Sequence, residues 1–394
     1  MPPREKLAFA DLHREPFRLF FPAATLAGLC GVSLWIPLLL GWTNDYPGTP
    51  HARVMVQGFL AGFIFGFLGT SLPRLLEVPA LTAREVFPLL AVFAGNVGAQ
   101  LAGATALGDG LFAAELAAWF LVLKGRCHAK RDLPPPSFVL VGLSFGCGLA
   151  GTMLFLAGRR GELSAELELL AKLLGYHAFV LLCVLGAGGF LLPRFLGLGV
   201  RRKFPASTTP TPDWLQTARV AGGAGLLIVL TYGLEAFGWP RSAVTLRAAL
   251  IVGYLWHELP LEQLRWTWNG VQWLLVSGLV CLPLGVLASG WLPGWRVALA
   301  HIELLSGFGL ITLGVATRVV FGHSGERTQL ERFHPPLTIA AVLLLLALLN
   351  RLTGDLVPST MASHYLYAAL CWLGGTLLWA TRVLPKVLKP DPEE

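Results

Sequence analysis

Four histidines, His51, His177, His301 and His364, stand near the starts of long apolar runs. Each run ends about a helix length later in an arginine: Arg74, Arg194, Arg318 and Arg382. His177 to Arg194 and His301 to Arg318 both span 17 residues. At about 1.5 Å per helical residue that is roughly 25 Å, close to the apolar thickness of a bilayer. Imidazole is costly in lipid and is a common ligand of haem iron and copper. Two imidazoles on facing helices can hold a haem b iron from both sides, and three can hold copper. The pattern therefore points to haem or metal binding, with His51 and His301 foremost and His177 and His364 behind them.

The elements that must carry these side chains are membrane helices. Of the 394 residues, 55% are hydrophobic and only 13% charged, about half the charged fraction of an ordinary soluble domain. The fold class read from this is an all-α polytopic membrane protein with no room for a sizeable soluble domain. Twelve helices are expected near 17–40, 51–73, 85–107, 109–124, 135–158, 168–192, 216–237, 241–258, 266–287, 295–320, 335–351 and 361–384, divided by Pro, Gly and charge clusters. Residues 1–16 form an N-terminal segment, 17–384 one membrane domain and 385–394 a tail. The N-terminal segment is polar and charged, unlike a cleaved signal peptide.

With both termini cytoplasmic, 21 lysines and arginines fall between spans on the inner side. Five fall on the outer side: Arg159, Arg160, Arg241, Arg296 and Arg351. That asymmetry is a positive-inside signal and sets the orientation. The four histidines then lie in outer halves, together with Glu115, Glu235, Glu303, Arg53, Arg247 and Gln100. Ionised groups at such depth are easier to place in a shared polar cavity than against lipid.

His51, His177 and His301 recur on every fourth helix. The segment Gly69-Thr-Ser-Leu-Pro-Arg-Leu-Leu76 also parallels Gly189-Phe-Leu-Leu-Pro-Arg-Phe-Leu196. A four-helix unit repeated near 17–134, 135–265 and 266–384 accounts for both, as three arcs around a common centre.

The net charge of +7 does not suggest nucleic acid, because the cations sit in loops between spans. The six cysteines contain no Cys-x-x-Cys pair, which argues against iron–sulfur clusters and c-type haem; most read as small buried side chains. NTPase, hydrolase-elbow and zinc-protease motifs are absent. His323, within Gly322-His-Ser-Gly325, reads as a ligand, a proton carrier or a loop cap. His13, His128, His257 and His334 read as peripheral. The rival to a metal site is a haem-free transporter or channel using Glu115, Glu235, Glu303 and Arg247 as a polar relay.

Three segments resemble the NnrS family: Pro16-Phe-Arg-Leu-Phe-Phe21, His51-Ala-Arg-Val-Met-Val-Gln-Gly-Phe59, and Leu313-Gly-Val-Ala-Thr-Arg318 running into Gly322-His-Ser-Gly325. The resemblance implies a bacterial inner-membrane protein of about twelve spans, containing haem and copper and linked to denitrification and nitrosative stress. Its partners would be the lipid bilayer, nitric oxide and an electron donor. On that reading His51 and His301 are axial haem ligands and Arg53 faces the haem propionates. His177, His364 and His323 are the metal candidates. The family pattern has a His and a Glu where this chain has Arg53 and Val54, and the lost imidazole bears on copper more than on haem. The architecture is also similar to the large subunit of haem–copper oxidases, where helices two and ten supply haem ligands and helix six a copper ligand.

Overall fold

The computed structural model describes residues 9–159, 161, 163–266, 269–326 and 334–391. Of the cations used for orientation, Arg4, Lys6, Arg160, Arg327 and Arg332 lie outside these residues. The described chain is helical, with no strand among the described residues. In chain order the long helices are α1 Phe17–Leu39, α2 Gly48–Leu75, α3 Ala83–Leu101, α4 Thr105–His128, α5 Pro136–Gly158, α6 Ala165–Phe195, α7 Pro212–Ala236, α8 Pro240–Glu258, α9 Gly270–Trp291, α10 Pro293–Gly322, α11 Pro335–Leu356 and α12 Met361–Val383.

Nine of these are long and apolar enough to cross a membrane; α3, α8 and α12 are not among them. The sequences of those three show why. Helix α3 carries Arg84, Glu85, Asn96 and Gln100, α8 carries Arg241, Arg247, His257 and Glu258, and α12 carries Ser363, His364 and Tyr365. Their polar side chains depress hydropathy without breaking the helix.

Local chemistry sets many of the ends. Thr211 accepts a hydrogen bond from the Trp214 N–H at 3.2 Å with Pro212 next in line, and Asn269 accepts from the Val271 N–H at 2.9 Å. The turn after α3 comes at Gly103 with φ of 75°, and the turn after α7 at Gly238 with φ of 102°. This moves the α3/α4 boundary back from the expected 107–109 to 102–104. The expected end of the eleventh helix at 351 is also corrected. Helix α11 runs on to Leu356, so Arg351 is a helical residue rather than a loop cation.

The chain divides into two compact units. The first holds residues 1–67, 100–103 and 266–394, and so contains α1, most of α2 and α9 to α12. Its core is aromatic, with Phe17, Phe20, Phe21, Phe59, Phe308 and Trp379 fully enclosed. The Trp379 indole donates to Thr317 Oγ1 at 2.8 Å, tying α12 to α10. The second unit holds 68–99 and 104–265, with Phe112, Trp119, Phe179 and Tyr232 enclosed.

Helices α2, α6 and α10 each contain a π-helical stretch, at Val54–Leu60, Leu173–Ala178 and Ile302–Phe308. In each case a glycine of the preceding helix presses on that stretch. A Cβ on Gly31 would meet Val54 Cγ1 at 2.9 Å, one on Gly151 would meet the Gly175 nitrogen at 2.4 Å, and one on Gly285 would meet the Glu303 nitrogen at 2.4 Å. At Gly151 and Gly285 the facing backbone comes where a side chain would stand, which favours glycine; at Gly31 the Val54 and Met55 side chains fill that space.

The cysteines are all free, but only Cys147 and Cys183 are buried; the other four are half-buried, contrary to the expectation that most are enclosed.

Candidate functional site

His51 lies in the first turns of α2, just before its π stretch, and His301 ends the α-helical turn that precedes the π stretch of α10. A π turn adds one residue per hydrogen-bonded loop, which re-aims the side chains beside it, and such turns are frequent at functional sites. His51 Nδ1 lies 3.0 Å from the Gly31 carbonyl oxygen and His301 Nδ1 lies 2.7 Å from that of Val297. A carbonyl can only accept, so both Nδ1 atoms carry the proton and donate it. With Nδ1–H so placed, the neutral ring has its lone pair on Nε2, the form in which imidazole binds a metal with its other nitrogen oriented by the protein.

Arg351 of α11 contributes positive charge to the surroundings of both His51 and His301, and His51 contributes to those of His301. The guanidinium is held by Asp355 one turn on and sits over the Tyr365 ring at 4.3 Å from its centroid. The Tyr365 hydroxyl donates to Asp355 at 2.6 Å. Trp35 closes one side, with ring centroids 5.8 Å from His51, 5.4 Å from Tyr46 and 6.4 Å from Tyr365. His364 Nδ1 donates to Asn350 Oδ1 at 2.8 Å. Thus α1, α2, α10, α11 and α12 of the first unit bring a polar, aromatic cluster to one end of their helices.

Of the expected site residues, His51 and His301 fall in one electrostatic neighbourhood, and His364 is anchored by a side chain adjacent in sequence to Arg351. Arg53 is 6% exposed and lies two residues beyond His51. His177 sits half-buried within the π stretch of α6, in the second unit. His323 lies at the far end of α10 from His301, about 33 Å along the axis at about 1.5 Å per residue, so the two cannot share one ligand.

His323 instead forms its own cluster. Its Nδ1 is bonded to Glu15 and stands 3.4 Å from Asp391, and these three residues offer ligand atoms all within 4.8 Å of one another. Arg18 locks the same place. Its Nε donates to Glu15 at 2.5 Å, and its Nη1 donates to the Val387 and Lys389 carbonyls at 2.5 and 2.7 Å. The donor set suits a divalent cation, yet Arg18 already neutralises Glu15, so the cluster is also satisfied as a clasp between the segments flanking the membrane helices.

The relay residues are placed differently. Arg247 and Glu235 form a buried ion pair at 2.7 Å; Arg247 also donates to Thr231 at 2.8 Å and stacks on Tyr232 at 3.6 Å. Both lie in the second unit, as does Glu115, which is fully buried with neither carboxylate oxygen hydrogen-bonded among the described residues. Glu303 lies in the first unit, 2% exposed.

Sequence reasoning passed over Arg351, Asp355, Tyr365 and Trp35. The available signal was the i,i+4 spacing of Arg351 and Asp355, which pairs opposite charges on one helix face. A helix expected to end at 351 leaves Asp355 in a loop and hides that pairing.

An all-helical chain with nine helices long and apolar enough to cross a membrane among its described residues is a polytopic membrane protein. Residues 11–390 match the NnrS protein family, which is nearly the whole chain, and the protein belongs to that family. Family membership makes it a nitric-oxide-related membrane protein. A search of curated proteins finds no match.

Proposed function

We propose that this is a haem b protein of the bacterial inner membrane, with twelve spans and both termini cytoplasmic. It acts in the nitric oxide response or denitrification by binding or reducing nitric oxide or metal–nitrosyl species, the latter with an electron donor. The observation that carries this reading is that His51 and His301 both donate Nδ1–H to a backbone carbonyl and both stand in the electrostatic field of Arg351.

That donor set fits haem b. His51 and His301 would hold the iron through Nε2, and Arg351 and Arg53 would offset the charge of the propionates. Bound haem would supply an iron that takes a diatomic ligand and changes oxidation state. The chain itself contributes orientation, through the Gly31 and Val297 carbonyls, and charge compensation, through Arg351 held by Asp355. Trp35 and Tyr46 wall the cluster with aromatic surface. His177, His364 and His323 remain the copper candidates.

Helices two, six and ten share a histidine, a π stretch and a pressing glycine from the helix before. This supports reading the chain as three four-helix repeats. The closed Glu235–Arg247 pair fits a structural ion pair better than a relay.

The test is ligand-sensitive spectroscopy of the purified, reduced protein under anaerobic conditions. Addition of nitric oxide should move the Soret band. A haem band that does not respond to nitric oxide would remove the substrate assignment while leaving the haem.

A further inference from the structure

The second unit contains a cavity of about 370 Å3 that the proposed haem chemistry does not use. Its volume lies in the roughly 300–1,000 Å3 range of small-molecule sites. It gathers the ends of α2, α6 and α8 with the starts of α5 and α7, all on the face of the unit where cations concentrate.

The walls differ in chemistry. Arg194, Arg201, Arg202 and Lys203 line one part, against two carboxylates, Asp132 and Glu258. The carboxylates do not cancel the cations. Asp132 Oδ1 accepts from the Leu133 and Ser207 backbone N–H groups at 2.7 and 2.9 Å, so it serves the loop. Glu258 stands 3.6 Å from Arg202, whose other nitrogen contacts His257 Nε2 at 2.7 Å. Arg201 is held by Glu262 at 2.9 Å. Two cations have no carboxylate partner among the described residues. Arg194 donates only to the Phe190 carbonyl at 2.5 Å and stacks on the Phe190 ring at 3.7 Å, and Lys203 is exposed with no partner among the described residues.

The rest of the lining is apolar. Leu75, Leu133, Pro193 and Phe204 contribute to it, and the Trp214 indole is pinned to the Pro134 carbonyl at 3.0 Å. An indole anchored at the end of a membrane helix marks the headgroup level. A cavity at that depth with surplus cations on one side and apolar walls on the other matches a phosphate group attached to an apolar body. Basic pockets between membrane helices bind anionic headgroups in this way.

We propose that this cavity is a binding site for a phosphate-bearing anion, with Arg194 and Lys203 as its principal cations. The shared chemistry is one phosphate oxygen set met by a guanidinium fork and an ammonium. It is supplied either by an anionic phospholipid headgroup or by free phosphate, and the apolar walls favour the lipid.

The test uses the full-length protein in detergent, titrated in parallel with phosphatidylglycerol, phosphatidylcholine and inorganic phosphate, with binding read by native mass spectrometry and thermal shift. Phosphatidylglycerol should bind wild type, and the double variant R194Q/K203Q should bind it about thirtyfold more weakly, while R219Q, which removes a cation of the same unit outside the cavity, leaves it unchanged. The single variant K203Q removes an exposed side chain and keeps the fold, so it reads the site even if the double variant is unstable; it should weaken binding about fivefold. Inorganic phosphate binding with the same dependence on Arg194 and Lys203, and no lipid binding, identifies the soluble source. Equal binding of phosphatidylglycerol by wild type, K203Q and R219Q, with no phosphate binding, overturns the proposal.

Discussion

His301 donates its Nδ1 proton to the carbonyl of Val297, one turn back along α10 and 2.7 Å away. A ring oriented by its own helix keeps one tautomer wherever the neighbouring helices move. His51 reaches the same state by a different route, since its acceptor, Gly31, belongs to α1. Replacing His301 by alanine should therefore remove the ligand without disturbing helix contacts. Replacing His51 also cuts a tie between α1 and α2, of about 1 kcal/mol. Thermal unfolding in detergent separates the two: H301A should match wild type in its apoprotein form, and H51A should melt lower. Equal melting temperatures would contradict the assigned acceptors.

A methyl group at Gly285 would stand 2.4 Å from the Glu303 backbone nitrogen, and one at Gly151 would stand 2.4 Å from that of Gly175. Neither backbone can move alone. Gly285→Ala and Gly151→Ala should each cost about 1–3 kcal/mol, as overpacking does. Gly98→Ala, where a Cβ meets nothing within 4 Å, should cost nothing measurable. Melting curves for the three variants check this.

Arg18 is 3% exposed and binds Glu15, Val387 and Lys389 together. Removing the guanidinium leaves the Glu15 carboxylate buried without its main countercharge. Arg18→Ala should cost about 3–5 kcal/mol in local stability and expose the segment around Val387 to protease, whereas Arg14→Ala, an exposed partner of Asp11, should not. Limited proteolysis followed by mass mapping of the C-terminal fragments is the check.

Two groups outside the membrane helices should shape stability against pH. Glu326 is penalised by burial, but hydrogen bonds and charge from Lys386 and Lys389 outweigh that and hold its carboxyl below the usual value of 4.5. A lowered carboxyl stabilises the fold above the ordinary value, and the contribution is lost as pH falls through its folded value. Because the lysines are partly exposed the effect should stay near or below about 1 kcal/mol. For His334, burial first and then Lys386 and Arg382 disfavour its charged form and lower it from 6.5. The folded state then binds fewer protons than the unfolded one, so stability falls as pH drops below 6.5. Glu326→Gln should flatten the melting profile below pH 4.5, and His334→Gln should flatten it just below pH 6.5. Profiles unchanged in either window would contradict the corresponding assignment.

Much of this was legible in the sequence because membrane insertion leaves strong marks. Apolar runs of helix length mark the nine helices that are long and apolar enough to cross a membrane, and the scarcity of charge makes His51 and His301 conspicuous. Boundaries were less legible. A turn such as Ala102-Gly103-Ala104 depends on one glycine adopting a positive φ, which the flanking apolar residues conceal. Arg351 was missed for a related reason. A cation after a leucine run reads as the end of a span, and only its pairing with Asp355 and Tyr365 lets α11 continue past it. The His323 cluster was illegible because Glu15 and Asp391, at opposite ends of the chain, complete it. The π stretches leave no periodic trace, since one added residue in a uniformly apolar helix changes no hydrophobic pattern.

The central claim is that His51 and His301 together hold haem b. The most direct measurement is the Soret absorbance per mole of protein for wild type, H51A, H301A and H364A, each expressed with ample haem and purified in detergent. A Soret band in wild type and H364A that is lost or shifted in both H51A and H301A is the predicted result. No Soret band in wild type, or an unchanged band in H51A and H301A, would contradict it.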